Sequence, residues 1–398
     1  MTIRLFYVVV IGLLIITGCK KDNGTNDSDN NSTSKQAYIP DLSGSYSPSS
    51  GSWAKAIRIQ KDGKILALGD KWFVRLEKEG LNIDNTFNPV TEIASSSNVN
   101  AFELQDDGKI IVFGKFVLSS GRKAIVRLNA DGSLDNSFNN PNLDINYQAQ
   151  SINIYAVALQ ANGKMVIAGA FSYRTSPTSY AYGIARLNAD QSLDYSFVSP
   201  ISGGDVYNVQ RMLPLSDGGF LLTGYGAITL KGGASYAVVK INADGIFDNT
   251  YAFGSGGSLD ANSVIGTDMK ALADGKTLVG WYSGNIQAQA SYVARTNANG
   301  SVDAGFNAFG VSGYIRAVLE LPDKSVLVGN TPNLNITSEQ YLIHLSSGGI
   351  EDTAFHPGFT SGSGIFCLAN VDETTVLVGG SLNIGDKKYA VVRLRKNK

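Results

Sequence analysis

The sequence predicts an all-β fold, a seven-bladed β-propeller built from four-stranded antiparallel blades, with the last blade closed by an N-terminal strand. Three observations predict it. A unit of roughly 45 residues recurs from residue 50 onward, the second strand of each unit is apolar at consecutive positions, and the number of fourth strands falls one short of the number of units.

The clearest copy of the unit is Ala101 to Pro141, AFELQDDGKIIVFGKFVLSSGRKAIVRLNADGSLDNSFNNP. Its strands are expected at Ala101 to Gln105, Lys109 to Gly114, Ala124 to Asn129 and Ser133 to Phe138. Asp107-Gly108 and Asp131-Gly132 mark the first and third connections as tight hairpins, with glycine at positive φ. The second strand, KIIVFG, has no polar alternation, so it is covered on both faces. One four-stranded sheet cannot cover itself, and the copies must pack on one another, as in a propeller or a stack.

The first-turn element appears seven times, at Asp62, Asp107, Asn162, Asp217 and Asp274 with a following glycine, then as Asp323-Lys324 and Asp372-Glu373. The fourth-strand element, an acid followed three residues later by an aromatic, appears six times, from Asp84/Phe87 to Asp352/Phe355. The missing copy lies at the other end of the domain. Leu42, Ser45, Tyr46 and Pro48 align with Ile83, Thr86, Phe87 and Pro89. A strand that joins the two ends of the array leaves no open edge, which selects a ring over an open solenoid.

Three segments follow from this reading: an export signal at residues 1–18, a tether at 19–36 and the propeller at 37–398. The signal has Arg4 and an apolar run from Leu5 to Ile16, which is short for a membrane span. The tether is polar and rich in Asn, Ser, Asp and Thr, with nothing to anchor a fold. With Lys+Arg 33 against Asp+Glu 34, the chain offers no basic field for nucleic acid.

Two resemblances add to this. The ending ITGC of the signal resembles the bacterial lipobox, which implies lipidation of Cys19 and a membrane anchor. The following Lys20-Lys21-Asp22 looks like lipoproteins of Bacteroidota, implying a location at the outer membrane or cell surface. The units themselves, of the form DGKilvgG followed by RLNadGslDxsF, resemble the delta-60 repeat of bacterial exported and surface proteins. That resemblance implies a propeller outside the cytoplasm and carries no catalytic residues.

A basic residue in the third strand recurs eight positions before the fourth-strand acid. The pairs are Arg127 with Asp135, Arg186 with Asp194, Lys240 with Asp248, Arg295 with Asp303 and His344 with Asp352. Repetition marks them as structural, cross-strand ion pairs between blades, because a catalytic pair needs no copies. The NADGSLD loop reads as a turn in preference to a calcium loop, since Asn129, Asp131 and Asp135 do not have EF-hand spacing. No metal, cofactor or catalytic site is expected, and Cys367 is expected to be a buried, inert thiol.

Topology places the second-to-third-strand and interblade connections on one face, and these are the long, variable ones. Tyr147, Tyr173, Tyr180 and Tyr182 of the third unit and Trp281 and Tyr282 of the fifth fall there. Tyrosine among Ser, Asn and Gly suits sugars or protein surfaces, although such rings also pack loops. The expected function is a surface-anchored, non-enzymatic binding or scaffold module for a glycan or protein ligand. The alternative is an exported propeller glycoside hydrolase or polysaccharide lyase with carboxylates at the funnel mouth.

Overall fold

Each blade grows from one turn. In the second blade Gly108 adopts φ +84, and Asp107 accepts the N–H of Lys109 at 3.0 Å. This turn joins β5 (Val99–Leu104) to β6 (Ile110–Leu118), and β6 folds back on β7 (Gly121–Leu128). The computed structural model describes residues 38–49, 53–141, 143, 152–202, 209–251, 253, 264–283, 290–332 and 340–397. The expected signal, the tether with Cys19, and Tyr147 lie outside the described residues. Among the described residues no helix is long and apolar enough to cross a membrane.

The meander repeats around the ring. Blade 1 holds β2 (Ala54–Ile59), β3 (Ile65–Gly69) and β4 (Trp72–Leu76), followed by the short α1 (Thr91–Ala94). Blade 3 holds β8 (Asn153–Leu159), β9 (Met165–Ser176) and β10 (Ser179–Leu187), and blade 4 holds β11 (Arg211–Pro214), β12 (Phe220–Thr229) and β13 (Ser235–Ile241). Blade 5 has β14 (Val264–Ala271), β15 (Thr277–Ser283), β16 (Ala290–Thr296) and β17 (Phe309–Ser312). Blade 6 has β18 (Tyr314–Glu320), β19 (Val326–Thr331) and β20 (Leu342–Leu345). Blade 7 is ordered β1 (Tyr38–Tyr46), β23 (Lys387–Lys396), β22 (Thr375–Ile384), β21 (Gly364–Asp372), so the N-terminal strand completes the last sheet as expected.

The fourth strand is shorter than expected. Ser133 to Phe138 contributes a single bridge, Leu128 to Leu134, and five other units do the same. Asp135 is the cause: its Oδ1 accepts the N–H of Ser137 at 3.0 Å, and its carbonyl accepts the N–H of Phe138 at 3.1 Å. The side chain bends the chain out of the ladder, as Asx turns do. Among the described residues only β17 and β1 form full fourth strands. In blade 6 the first turn keeps its shape without glycine, with Lys324 at φ +70.

Seven apolar clusters, one at each junction between neighbouring blades, hold the ring together. Alternate residues of β6 divide between two of them, Ile110 and Val112 toward blade 1 and Ile111 and Phe113 toward blade 3. That division explains the unbroken apolar second strand. The junction between blades 7 and 1 is filled by Tyr46, Ala54, Ile57, Trp72, Leu377 and Val391. The first strands meet around the axis, β2 touching both β5 and β21.

The repeated ion pairs form within blades, not between them. Asp135 receives Arg127 at 2.7 Å and also Lys109 at 2.8 Å. Asp84, Asp194 and Asp303 receive the corresponding Arg and Lys pairs. In blade 4 Gly219 replaces the lysine, and Lys240 is shared between Asp217 at 3.3 Å and Asp248 at 3.5 Å. In blade 6 His344 Nδ1 lies 3.1 Å from Asp352. The same guanidinium groups also reach the next blade through a second hydrogen bond, which Arg186 supplements with an ion pair to Asp244 at 3.2 Å. Arg75 donates to Ala130 O of the next blade at 2.7 Å, Arg186 to Ala243 O at 2.7 Å and Arg295 to Ser347 O at 2.9 Å. Arg393 donates to Lys78 O, carrying the link across the closure. The three-residue loop that accepts this bond is also where backbones approach closely. A Cβ on Gly132, at φ +90, would lie 2.7 Å from Pro89 N.

Candidate functional site

The candidate site lies where the first strands depart from their own repeat. Six of them carry a register shift at the same level, at Lys55, Asn100, Tyr155, Thr267, Arg316 and Phe366. Gln210 holds the matching place in blade 4, where its N–H bonds to Thr223 O. A bulge sets two residues against one and re-aims a side chain, which is why bulges gather beside binding sites. Framework positions of the repeat keep one chemistry from blade to blade, but this ring holds a different side chain in every blade. Each first strand enters from an interblade connection and ends at its first turn, so the ring stands at the loop-rich end of the axis.

Two arcs of the ring differ. Across blades 1 to 3 the side chains stitch neighbours together: Lys55 Nζ donates to Ser97 O at 2.7 Å, and Asn100 Nδ2 to Asn153 Oδ1 at 2.8 Å and Ile154 O at 2.7 Å. Across blades 4 to 6 exposed arginines stand beside half-buried rings. Tyr282 lies against Tyr314 with ring centroids 4.8 Å apart and planes tilted by 34°, and the Arg316 guanidinium lies over Tyr314 at 5.2 Å. Arg316 and Arg211 are both exposed, and neither is ion-paired with a described carboxylate. Burial of its surroundings, and then the like charge of Arg211, push the Arg316 pKa down.

Between these arginines, β14 contributes Asp268, whose Oδ2 accepts the N–H of Val318 at 2.8 Å. Burial raises its pKa. Glu103 pairs with Arg58 across blades 1 and 2, Nε to Oε2 at 3.0 Å. Cys367 lies within the electrostatic reach of both Arg58 and Asp268, and burial pushes its thiol up to about 12. At pH 8 Cys367 in the native protein is therefore expected to resist iodoacetamide, which needs the thiolate, and to label fully in guanidinium chloride. Peptide mass spectrometry reads this, and equal labelling in both states would contradict it. Among the described residues no three His, Cys, Asp or Glu side chains gather as metal ligands. Asp131 caps its own turn, its Oδ1 accepting the Ser133 N–H at 2.9 Å.

The expected aromatic residues separate in the structure. Tyr282 belongs to the tilted pair just described. Tyr173, at 2% exposed, and Trp281, at 6%, are core side chains and present no ring to a ligand. Both occupy inward positions of strands that run longer than the sequence reading allowed. Tyr173 joins the blade 2 and 3 cluster, while Trp281 stacks on Tyr292 at 5.6 Å and meets Phe253 edge-on at 6.0 Å. The second-to-third-strand connection expected to carry Tyr173, Tyr180 and Tyr182 is instead a hairpin of β9 and β10. Tyr180 is 36% exposed on it with Arg174 over its ring at 5.1 Å, and the Tyr182 carbonyl accepts Ser199 Oγ at 2.7 Å. A shallow cleft of about 320 Å³ lies beside this hairpin, lined by Arg174 to Pro177 and Tyr195. Arg211, Tyr314 and Arg316 were not expected from sequence. For Arg211 the available signal was the alanine at Ala56, Ala101, Ala156 and Ala317, replaced in the other units by Arg211, Asp268 and Cys367; for Arg316 it was the position before that alanine, which differs in every unit.

Fold and site define a β-propeller with a variable ring at its axis. Residues 105–138, 160–197 and 272–306 match the family described as domain of unknown function (DUF5122) beta-propeller. The matched units are blades 2, 3 and 5, each with a complete Lys, Arg and Asp cluster. No curated protein matches in sequence. Among solved structures, the extracellular domain of a one component system from B. thetaiotaomicron is 13% identical with a TM-score of 0.54, over 91% of this chain and 42% of that one. The extracellular domain of a hybrid two component system from the same organism is 12% identical with a TM-score of 0.53, over 91% and 40%. A protein of unknown function from Dyadobacter fermentans is 12% identical with a TM-score of 0.45, over 91% and 99%. This chain spans about two fifths of the length of the two B. thetaiotaomicron domains, and the likeness to them is one of fold.

Proposed function

We propose that this propeller is a receptor module that binds a glycan or protein ligand at the arc of blades 4 to 6, without turnover. It is exported and held at the outer membrane or cell surface through lipidated Cys19. The observation that carries the reading is the group of Tyr282, Tyr314 and Arg316, in which Arg316 holds the position that varies in every blade. Rings and guanidinium groups supply flat apolar faces and directional donors, the chemistry of recognition surfaces. The similarity to extracellular domains of sensor proteins accords with an exported binding role. Hydrolysis or elimination would call for carboxylates free to act. Among the described residues of these first strands, Glu103 is engaged by Arg58, and one oxygen of Asp268 accepts the Val318 N–H.

The test is a glycan and protein array screened with the full chain, with Tyr314→Ala and Tyr180→Ala in parallel, and bound glycans analysed for cleavage. The expected result is binding that Tyr314→Ala weakens by about tenfold or more, with intact ligand recovered. Loss that follows Tyr180→Ala alone would move the site to the blade 3 hairpin, and cleaved ligand would replace the receptor reading with the enzymatic alternative. A blank array from folded protein would leave a structural role.

A further inference from the structure

We propose that the ligand of this arc is an oligosaccharide carrying a uronate carboxylate, taken up by Arg211 and Arg316 while a sugar ring stacks on the aromatic pair. The proposal rests on the receptor reading above and adds the charge of the ligand. β11 and β18, which present the two arginines, flank β14 on the same arc. The described residues supply no carboxylate to pair with either of them. The nearest acid on β14, Asp268, is turned to the backbone of Val318. Elsewhere in the fold, arginines at the third-strand position of blades 1, 2, 3 and 5 have an aspartate within 2.7 Å. The contrast within one repeat array is the argument: where arginine serves the frame it is paired with an aspartate, and at the variable ring, as Arg316, or beside it, as Arg211, it is not paired with a described carboxylate.

The geometry also favours a planar anion. Arg316 lies over Tyr314 at 5.2 Å and is otherwise exposed, and a guanidinium accommodates a carboxylate through two parallel N–H bonds in its own plane. A pyranose ring presents C–H groups to an aromatic face, and the Tyr282 and Tyr314 pair supplies one beside the cations. A neutral sugar would use the rings but bring no anion to the two neighbouring cations, whose like charges act on each other.

The experiment is calorimetric titration of the full chain with short galacturonate, glucuronate and mannuronate oligosaccharides, each against its methyl ester and against a sulfated neutral oligosaccharide. At least one uronate is expected to bind, its methyl ester about tenfold or more weaker, with affinity falling as salt is raised. Arg316→Gln and Arg211→Gln are each expected to lower affinity for the acid form by about tenfold and affinity for the ester by a clearly smaller factor, so that the acid-to-ester preference shrinks. Both residues are exposed, so thermal melts of the variants should match the parent. Equal binding of acid and ester, or a sulfated neutral sugar bound as tightly as any uronate, would overturn the carboxylate assignment and leave the receptor reading standing. No binding by any sugar to folded protein, with a blank array as well, would overturn both.

Discussion

Replacing Asp194 by asparagine is expected to lower stability by about 3 kcal/mol, although the side chain keeps its shape. Asp194 is buried and is approached at 2.7 Å by Arg186 and at 2.7 Å by Lys164, with Ser196 donating to its other oxygen at 2.6 Å. Removing the charge leaves a buried guanidinium and a half-buried ammonium facing an amide, which costs far more than the loss of an exposed pair. The fourth blade provides the control. Asp248 is more exposed and has one cation at 3.5 Å, so Asp248→Asn should cost under about 1 kcal/mol. Urea midpoints of the two variants at neutral pH test the contrast, and equal losses would mean that the clusters do not support the frame.

The same clusters set the acid limit of the fold. Lys64 and Thr86 hold the Asp84 carboxyl well below the usual carboxylate range, Lys109 and Ser137 do so for Asp135, and Lys276 for Asp303. For Asp194 burial pulls the other way and is outweighed by Lys164, Ser196 and Arg186. A carboxyl depressed in the folded state contributes stability that is complete above its unfolded value of about 4 and is lost as pH falls toward the folded value. The wild-type melting temperature should therefore drop between about pH 4 and pH 2, and the gap to Asp194→Asn should narrow over that window. A gap that stays constant would mean that the cost of the variant is not one of charge.

Architecture was readable because the repeat prints the same local chemistry many times. Gly108, Asp107 and the run Ile110 to Phe113 each fix a turn or a doubly covered strand on their own, and seven copies leave one closed arrangement. What single-blade pattern reading missed came from interactions that reach beyond the unit. Asp135 looks like a strand residue by position, yet its side chain caps a turn and cuts the fourth strand to one bridge. Arg127 and Asp135 read as a pair, but Lys109 completes the cluster from a different hairpin. The candidate site was harder still. Periodicity marks loops and aromatics, and so drew attention to Tyr173 and Trp281, which longer strands carry into the core. Arg211 and Arg316 sit in first strands that look unremarkable until the copies are laid side by side and the bulge is seen at one level in six of them.

Deleting β1 is expected to abolish the cooperative fold more completely than any single substitution. The strand pairs with β23 from Tyr38 opposite Lys396 to Tyr46 opposite Val391. It places one aromatic in each of two junctions, Tyr38 between blades 6 and 7 and Tyr46 between blades 7 and 1, where Tyr46 meets Trp72 edge-on at 5.4 Å. Removing such a buried ring costs about 3 kcal/mol or more, so losing both approaches the stability of a typical domain. It would also bare β23, whose edge carries Val391, Val392 and Leu394 in a strand ready to pair with another chain. A chain starting at Pro48 should therefore elute as aggregate and melt without a sharp transition. A synthetic peptide spanning Tyr38 to Tyr46 should restore monomer and melting temperature when added in trans, and the peptide with both tyrosines changed to alanine should not. A monomeric truncated chain with an unchanged melt would show that the apolar junctions alone close the ring, and that β1 only covers it.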